Sequence, residues 1–164
     1  MTEDIITGAS PKGTEMLIEA WTGFTDASDI LDGLTPEQAV TKREGWPYSV
    51  AEQVAHMLFY QERSLRTIET GVETEVSTAA DGWPTVTESD WPRLKDDFLA
   101  VLERNRELTK NPENLDKPYP TNSRVTVGFY LLHMVTHDCY HLGQIALLRR
   151  LMGAWPPPNG GNTW

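Results

Sequence analysis

The feature that most constrains the fold is a set of four long segments in which apolar residues recur at helical spacing. These segments cover residues 14–31, 49–70, 89–109 and 126–152. No stretch shows the sustained alternation of apolar and polar residues that is typical of a half-buried strand. Because four amphipathic helices bury their apolar stripes when they pack side by side, the sequence predicts an all-α, four-helix bundle. The length suits a single domain that spans residues 1–164.

Two capping boxes mark the starts of predicted helices. Thr35-Pro36-Glu37-Gln38 combines a capping threonine with a proline at the first helical position, so it predicts an extra short helix that runs to about Lys42. Ser49-Val-Ala-Glu52 opens the second long helix. Two glycines, Gly71 and Gly153, follow the second and the last long helix, where a left-handed residue commonly ends a helix.

The connection over residues 72–87 is long for a loop without structure of its own, and such loops often cover a site. Long connections of this kind leave the topology of the bundle open. Trp83 lies in this connection and is one of four tryptophans that precede a proline. Core packing explains the group as a whole, and Trp83 is the candidate for lining a substrate entrance.

Charge and composition exclude several classes of partner. The formal net charge is −10, and no block of lysine and arginine exceeds a pair, so a nucleic-acid or membrane-surface partner is not expected. No stretch approaches the roughly 20 apolar residues of a membrane span, and no signal peptide is indicated. We therefore expect a cytoplasmic domain that acts on a small molecule. The single cysteine, Cys139, excludes an internal disulfide and is predicted to be a small core residue rather than a nucleophile or ligand.

All four histidines of the chain lie on two predicted helices. His133, His137 and His141 are spaced i, i+4 and i+8 on the last helix, so they form one ridge, and Gln144 falls within the same arc. Two imidazoles one turn apart can converge on one metal ion. His56 on the second long helix is the candidate for a third ligand.

The starts of these two helices suggest that their histidines share a pocket. His56 follows Ser49 by seven residues, and His133 follows Thr126 by the same number, so both histidines lie at a similar depth. Burying several imidazoles among apolar side chains costs free energy unless each is satisfied. A metal ion would satisfy them together. The alternative is a metal-free bundle in which the histidines are packing residues.

Two carboxylates near the histidines are open to more than one interpretation. Glu52 lies one turn before His56 and is a candidate acid or base, although its capping box already explains it. Asp138 lies about 100° around the helix from His137. It either orients a ligand on a neighbouring helix or is a surface or packing carboxylate.

The segment His137-Asp-Cys-Tyr-His141-Leu-Gly-Gln144 is the most specific motif of the chain. Together with Trp46-Pro47, Ser49-Val50, His56 and the helix start Thr126-Val-Gly, it resembles the DinB/YfiT-like family of metal-dependent enzymes. The resemblance extends over nearly the whole chain. It implies a four-helix bundle, a divalent ion that is commonly zinc or nickel, and frequent assembly as a homodimer.

Position by position, the resemblance implies that the metal ligands are His56, His137 and His141. Gln144 matches a recurrent glutamine of the motif. His133 matches a frequent histidine that is not usually counted as a ligand. It is therefore a fourth ligand, a base or a residue that hydrogen-bonds to one of the ligands. No catalytic residue is identified, and the candidates are His133, Glu52 and Gln144.

Three histidines leave coordination positions for water or substrate, as in catalytic rather than structural zinc sites. The resembled family includes S-transferases and an isomerase that use a low-molecular-weight thiol, and members that are assigned only as hydrolases. The resemblance therefore implies a metal-dependent enzyme that is either a low-molecular-weight-thiol S-transferase or a hydrolase. The alternative is a non-catalytic metal-binding stress-response or sensor protein. Coordination of the metal by His133 as a fourth ligand would favour that alternative.

Overall fold

The computed structural model describes residues 26–159 of the chain. Within this range the chain forms an all-α fold with one small hairpin. The α-helices, numbered in chain order, are α1 Ala27–Leu31, α2 Pro36–Val40, α3 Val50–Thr70, α4 Trp91–Thr109, α5 Pro112–Leu115 and α6 Val127–Met152.

The predicted start and end of α3 are both confirmed. The hydroxyl oxygen of Ser49 accepts a hydrogen bond from the backbone N–H of Glu52 at 3.1 Å, and the Glu52 carboxylate accepts one from the Ser49 N–H at 2.7 Å. Both bonds satisfy donors that a helix start would otherwise leave unpaired. Gly71 ends the helix in a left-handed conformation, with φ of 72°. His56 is therefore placed in the second turn of a rigid helix.

The last helix also begins and ends where the sequence predicts. The Thr126 side chain accepts a hydrogen bond from the Phe129 N–H at 3.2 Å, and Gly153 ends the helix with φ of 74°. The short helix α2 ends two residues before the predicted Lys42, because Thr41 already leaves the helical region. Of the predicted first helix, residues 14–25 lie outside the described part of the chain. The helix seen there, Ala27–Leu31, starts afresh at Asp26, whose backbone is extended and whose side chain caps it, so the predicted helix does not run through this residue.

Helix α3 packs against both α4 and α6, and this contact buries the main core. The buried guanidinium of Arg149 on α6 donates hydrogen bonds to the carbonyl oxygens of Ile30 and Ala154, which holds α1 against the end of α6. None of the described helices is both long and apolar enough to cross a bilayer. The largest fully buried apolar side chains are Leu31, Val50, Val54, Met57, Leu65, Trp91, Phe98, Tyr119, Leu131 and Ile145.

A short antiparallel hairpin joins α5 to α6 and was not predicted. It pairs β1, Pro118–Tyr119, with β2, Asn122–Thr126. Two residues are too few to produce a recognisable alternation, so the first strand reads as a connection between prolines. Tyr119 is buried and stacks on Tyr130 of α6 with ring centres 3.9 Å apart. The hairpin therefore anchors the start of α6.

The prediction that Cys139 is a core residue is wrong. Its side chain is exposed, whereas the neighbouring Asp138 is completely buried. Helix α6 faces the core over only part of its circumference at this level, and Cys139 lies beyond that arc. Hydrophobic character alone did not reveal where the arc ends, because α6 is apolar on most of its faces.

Candidate metal centre

Three histidines meet between α3 and α6. One ring nitrogen from each of His56, His137 and His141 lies within 4.8 Å of the other two. The Nε2 atoms of His56 and His137 are 3.1 Å apart. His56 and His141 are buried, and His137 is half-buried. The structure therefore brings together the three residues that the sequence predicts as ligands.

Hydrogen bonds at the other ring nitrogens set the tautomers of two of these histidines. The carbonyl oxygen of Gly82 lies 2.7 Å from Nδ1 of His56, so that nitrogen must be the donor. Nδ1 of His141 donates to the side-chain oxygen of Gln144 at 3.1 Å, with the oxygen of Gln53 at 3.4 Å. In both rings Nε2 is left with its lone pair, which is the arrangement of a metal-binding imidazole.

The third histidine faces a buried carboxylate. The Oδ1 atom of Asp138 lies 3.5 Å from Nδ1 of His137, and neither atom has another partner. The second carboxylate oxygen accepts a hydrogen bond from Gln61 of α3 at 2.5 Å. Gln61 in turn accepts one from Asn105 of α4 at 2.6 Å. A polar chain thus runs from the site through the core of the bundle.

Of the interpretations of Asp138 that the sequence left open, the structure supports a packing carboxylate. Asp138 is 0 % exposed and accepts a hydrogen bond from Gln61, so it is not at the surface, and it faces His137 of its own helix rather than a histidine on a neighbouring helix. Burial raises its pKa to about 6, against the opposing effect of the nearby His137 ring and of the hydrogen bond from Gln61. A carboxylate at this position is a costly feature that a histidine partner would help to stabilise.

Burial also lowers the pKa values of two of the histidines. It lowers the pKa of His141 to about 4, and the positive charges of His137 and His56 lower it further when those rings are protonated. Burial lowers the pKa of His56 as well, although the hydrogen bond to Gly82 acts in the opposite direction. These two rings are therefore neutral near pH 7, and the neutral ring is the form that binds a metal.

The donor set fits a divalent ion. Two ligand nitrogens 3.1 Å apart correspond to two bonds of about 2.0–2.1 Å that meet at roughly 100°. Lone pairs that point at one another without a cation or proton between them repel. Nitrogen-only sets of this kind suit zinc, nickel, copper or iron, so the geometry does not select one metal.

The three catalytic candidates from the sequence lie in different surroundings. His133 is exposed, and it is not part of the three-histidine group within 4.8 Å. The Glu52 carboxylate is held by its capping box and by Lys42 at 3.2 Å. Gln144 contacts the site through Nδ1 of His141.

An aromatic stack covers His56. The ring of Trp83 stacks nearly parallel on that of His56, with ring centres 3.8 Å apart. The ring of Tyr48 in turn stacks on that of Trp83, with ring centres 3.5 Å apart. The preceding Gly82 lies so close to the Tyr60 ring that an added Cβ would be 2.9 Å from one ring carbon. Because glycine has no Cβ, the connection passes this close to the Tyr60 ring while its carbonyl accepts the hydrogen bond from His56.

Two cavities adjoin the histidines. One has a volume of about 250 Å³ and is lined by His56 and His137 together with Arg63, Tyr130 and His133, among others. The second, of about 350 Å³, is lined by His141 and by a mainly apolar wall. Each of the three histidines therefore lines one of the two cavities.

Sequence reasoning missed several residues that shape the site. Gln53 lies three residues before His56, so helical spacing could have placed it on the same face. Gln61, Asn105 and Gly82 carried no such signal, because their partners lie far away in the chain. Trp83 was singled out by its place in the long connection, and it does line the larger cavity.

The comparison with known families agrees with the fold and with the histidine geometry. A family model described as the DinB superfamily matches residues 19–145. No curated protein and no solved structure matches the chain significantly. The matched range is well over half of the 164 residues and contains His56, His137 and His141. On the strength of this match, and of the helical fold that carries the three histidines, the chain belongs to the DinB superfamily.

Proposed function

We propose that this protein is a divalent-metal-dependent enzyme that acts on a small molecule, with His56, His137 and His141 as the metal ligands. The observation that carries the proposal is the convergence of three imidazole nitrogens within 4.8 Å at a point that two cavities adjoin. Membership of the DinB superfamily is compatible with a metal-binding role.

The position of His133 favours an enzyme over a passive metal binder. A fourth histidine would close the coordination sphere, but His133 is exposed and outside the three-histidine group. Three protein ligands next to a cavity are the arrangement of catalytic zinc sites. When bound, such an ion supplies Lewis acidity, which activates water or a thiol near neutral pH.

The chain's own residues prepare the site for this chemistry. Gly82, Gln144 and Asp138 contact the Nδ1 atoms and direct the Nε2 atoms toward a common point. The Trp83 ring covers one face of His56 and keeps water from it. We propose zinc or nickel as the ion. The reaction is either the transfer of a low-molecular-weight thiol to an electrophile or a hydrolysis.

Metal analysis combined with turnover tests this proposal. Protein purified without an affinity tag should contain about one equivalent of a divalent metal, or take it up on reconstitution. The metal-loaded protein is then assayed with a panel of low-molecular-weight thiols and an electrophile, and separately with ester and amide substrates.

His56→Ala should lose both metal and turnover, whereas the exposed His133→Ala serves as the matched histidine control for metal content. Absence of stoichiometric metal after reconstitution contradicts the proposal. Metal binding without turnover in either assay favours the alternative of a non-catalytic sensor. The expected cytoplasmic location and the homodimer remain predictions. Size-exclusion chromatography of the purified protein tests the homodimer.

A further inference from the structure

The larger of the two cavities has walls of a consistent chemical character. Its volume is about 350 Å³, and no aspartate, glutamate, lysine or arginine lines it. The apolar part of the wall comes from three aromatic rings, two leucines and a proline: Pro47, Tyr48, Trp83, Tyr140, Leu147 and Leu148. A ligand group that enters this cavity gains from apolar contact and finds no charged partner.

Two amide oxygens of the wall are already engaged by a histidine of the site. The side-chain oxygens of Gln144 and Gln53 both face Nδ1 of His141. They position that ring, so they are not available as strong acceptors for a polar ligand. The cavity therefore offers hydrophobic surface up to the edge of the three-histidine group.

The smaller cavity differs in its chemistry. Arg63 and His133 line it together with His56 and His137. Because His141 faces one cavity and the other two histidines face the second, two reactants of unlike character can reach the same three nitrogens.

Two large apolar side chains stand at the open side of the larger cavity. Tyr140 is 65 % exposed and Leu147 is 56 % exposed, although both lie on the same helix as the site. Covering such side chains with an apolar group releases water and favours binding. Leu151 on the same helix is equally exposed, at 54 %, but does not line the cavity.

We propose that this cavity binds the uncharged, apolar part of the substrate, an aromatic ring or a short branched chain, with the reacting group of that molecule at the three histidines. A cavity of roughly 150 Å³ holds one benzene ring, so the volume here accommodates a ring with a substituent. This inference rests on the proposed function and adds the class of substrate.

Hydroxamates test the inference because their head group binds zinc while the rest of the molecule is varied. We would measure the affinity of acetohydroxamate, benzohydroxamate and 4-carboxybenzohydroxamate for the zinc-loaded protein by calorimetry. Benzohydroxamate should bind at least about tenfold more tightly than acetohydroxamate, because its ring buries apolar surface in the cavity. The added carboxylate should remove most of this advantage.

Two matched variants locate the effect. Leu147→Glu places a charge in the cavity wall and should abolish the advantage of the phenyl ring, whereas Leu151→Glu places the same charge outside the cavity and should leave it intact. Both leucines are exposed, so neither substitution disturbs the core. Equal affinities of acetohydroxamate and benzohydroxamate in the unmodified protein would overturn the inference, as would a phenyl advantage that survives Leu147→Glu.

A metal-free measurement separates this inference from the proposed function. The uncharged one-ring probe toluene, titrated by calorimetry, should bind the metal-free protein and Leu151→Glu, but not Leu147→Glu. If the protein retains no zinc and yet binds the probe in this pattern, the metal assignment fails and the apolar site stands. If zinc binds and the probe does not, the apolar site fails alone.

Discussion

Nδ1 of His56 donates a hydrogen bond to the carbonyl oxygen of Gly82 at 2.7 Å. This bond links a histidine in the second turn of α3 to the connection that follows the helix. It fixes the orientation of the ring, and it brings Trp83 onto the ring face at 3.8 Å. The long connection is thus part of the candidate metal centre.

The substitution Gly82→Ala should weaken metal binding. A Cβ at this position would lie 2.9 Å from the Tyr60 ring, so the ring or the connection must shift, and either shift disturbs the bond from His56 to Gly82. Loss of a hydrogen-bond partner of a metal-binding histidine typically lowers metal affinity 10- to 100-fold. Competition with a chelating dye measures the change. Gly143→Ala is the matched control, because a Cβ there meets nothing within 4 Å; an equal loss in both variants would contradict the prediction.

Asp138→Asn should lower metal affinity and raise the stability of the metal-free protein. An asparagine presents either an amide N–H or a neutral oxygen to His137, which removes the charge that favours the required tautomer. We expect a loss of about 10- to 100-fold in zinc affinity. The fold itself gains, because a fully buried charge is removed. Chelator competition and urea unfolding check the two effects, and a fall in both would indicate a merely structural residue.

The pH dependence of the metal-free protein follows from His141 and Asp138. The pKa of His141 falls from 6.5 to about 4 on folding, so the unfolded chain binds more protons between these values, and His141 makes stability fall as pH is lowered from 6.5 to 4. The pKa of Asp138 rises from 3.8 to about 6, so this group makes stability fall as pH rises over nearly the same range. The two effects oppose each other.

Metal-free Asp138→Asn should therefore expose the histidine effect. Its free energy of unfolding should drop by up to roughly 3 kcal/mol between pH 6.5 and 4, while the unmodified protein shows a flatter profile. Urea unfolding at several pH values provides the measurement. Parallel profiles for the two proteins would show that Asp138 does not carry the opposing charge effect.

Zinc should stabilise the protein through three histidines and not four. At a free zinc concentration 100 times the dissociation constant, binding adds about 2.7 kcal/mol to the free energy of unfolding. Thermal unfolding should show this gain in His133→Ala and lose it in His137→Ala. Chelation with EDTA should reverse the gain in the responsive proteins. A zinc response that disappears in His133→Ala would make His133 a ligand.

The sequence alone determined the features that depend on neighbouring residues. The capping box of Ser49 and Glu52 and the terminal glycines Gly71 and Gly153 marked the ends of α3 and α6 correctly, because these signals act within one helical turn. The same argument placed His137 and His141 on one ridge. The resemblance carried by their motif is confirmed by the family match.

Tertiary structure decided which distant groups meet. The Asp138 carboxylate, the Gln61 amide and the Gly82 carbonyl serve the site through contacts that span 26 to 77 positions of the chain. The exposure of Cys139 and the separation of His133 from the other histidines depended on it as well. Helical periodicity specifies the face on which a side chain lies. The rotation and register of one helix against another, which decide what that face contacts, arise only from the packing of the whole bundle.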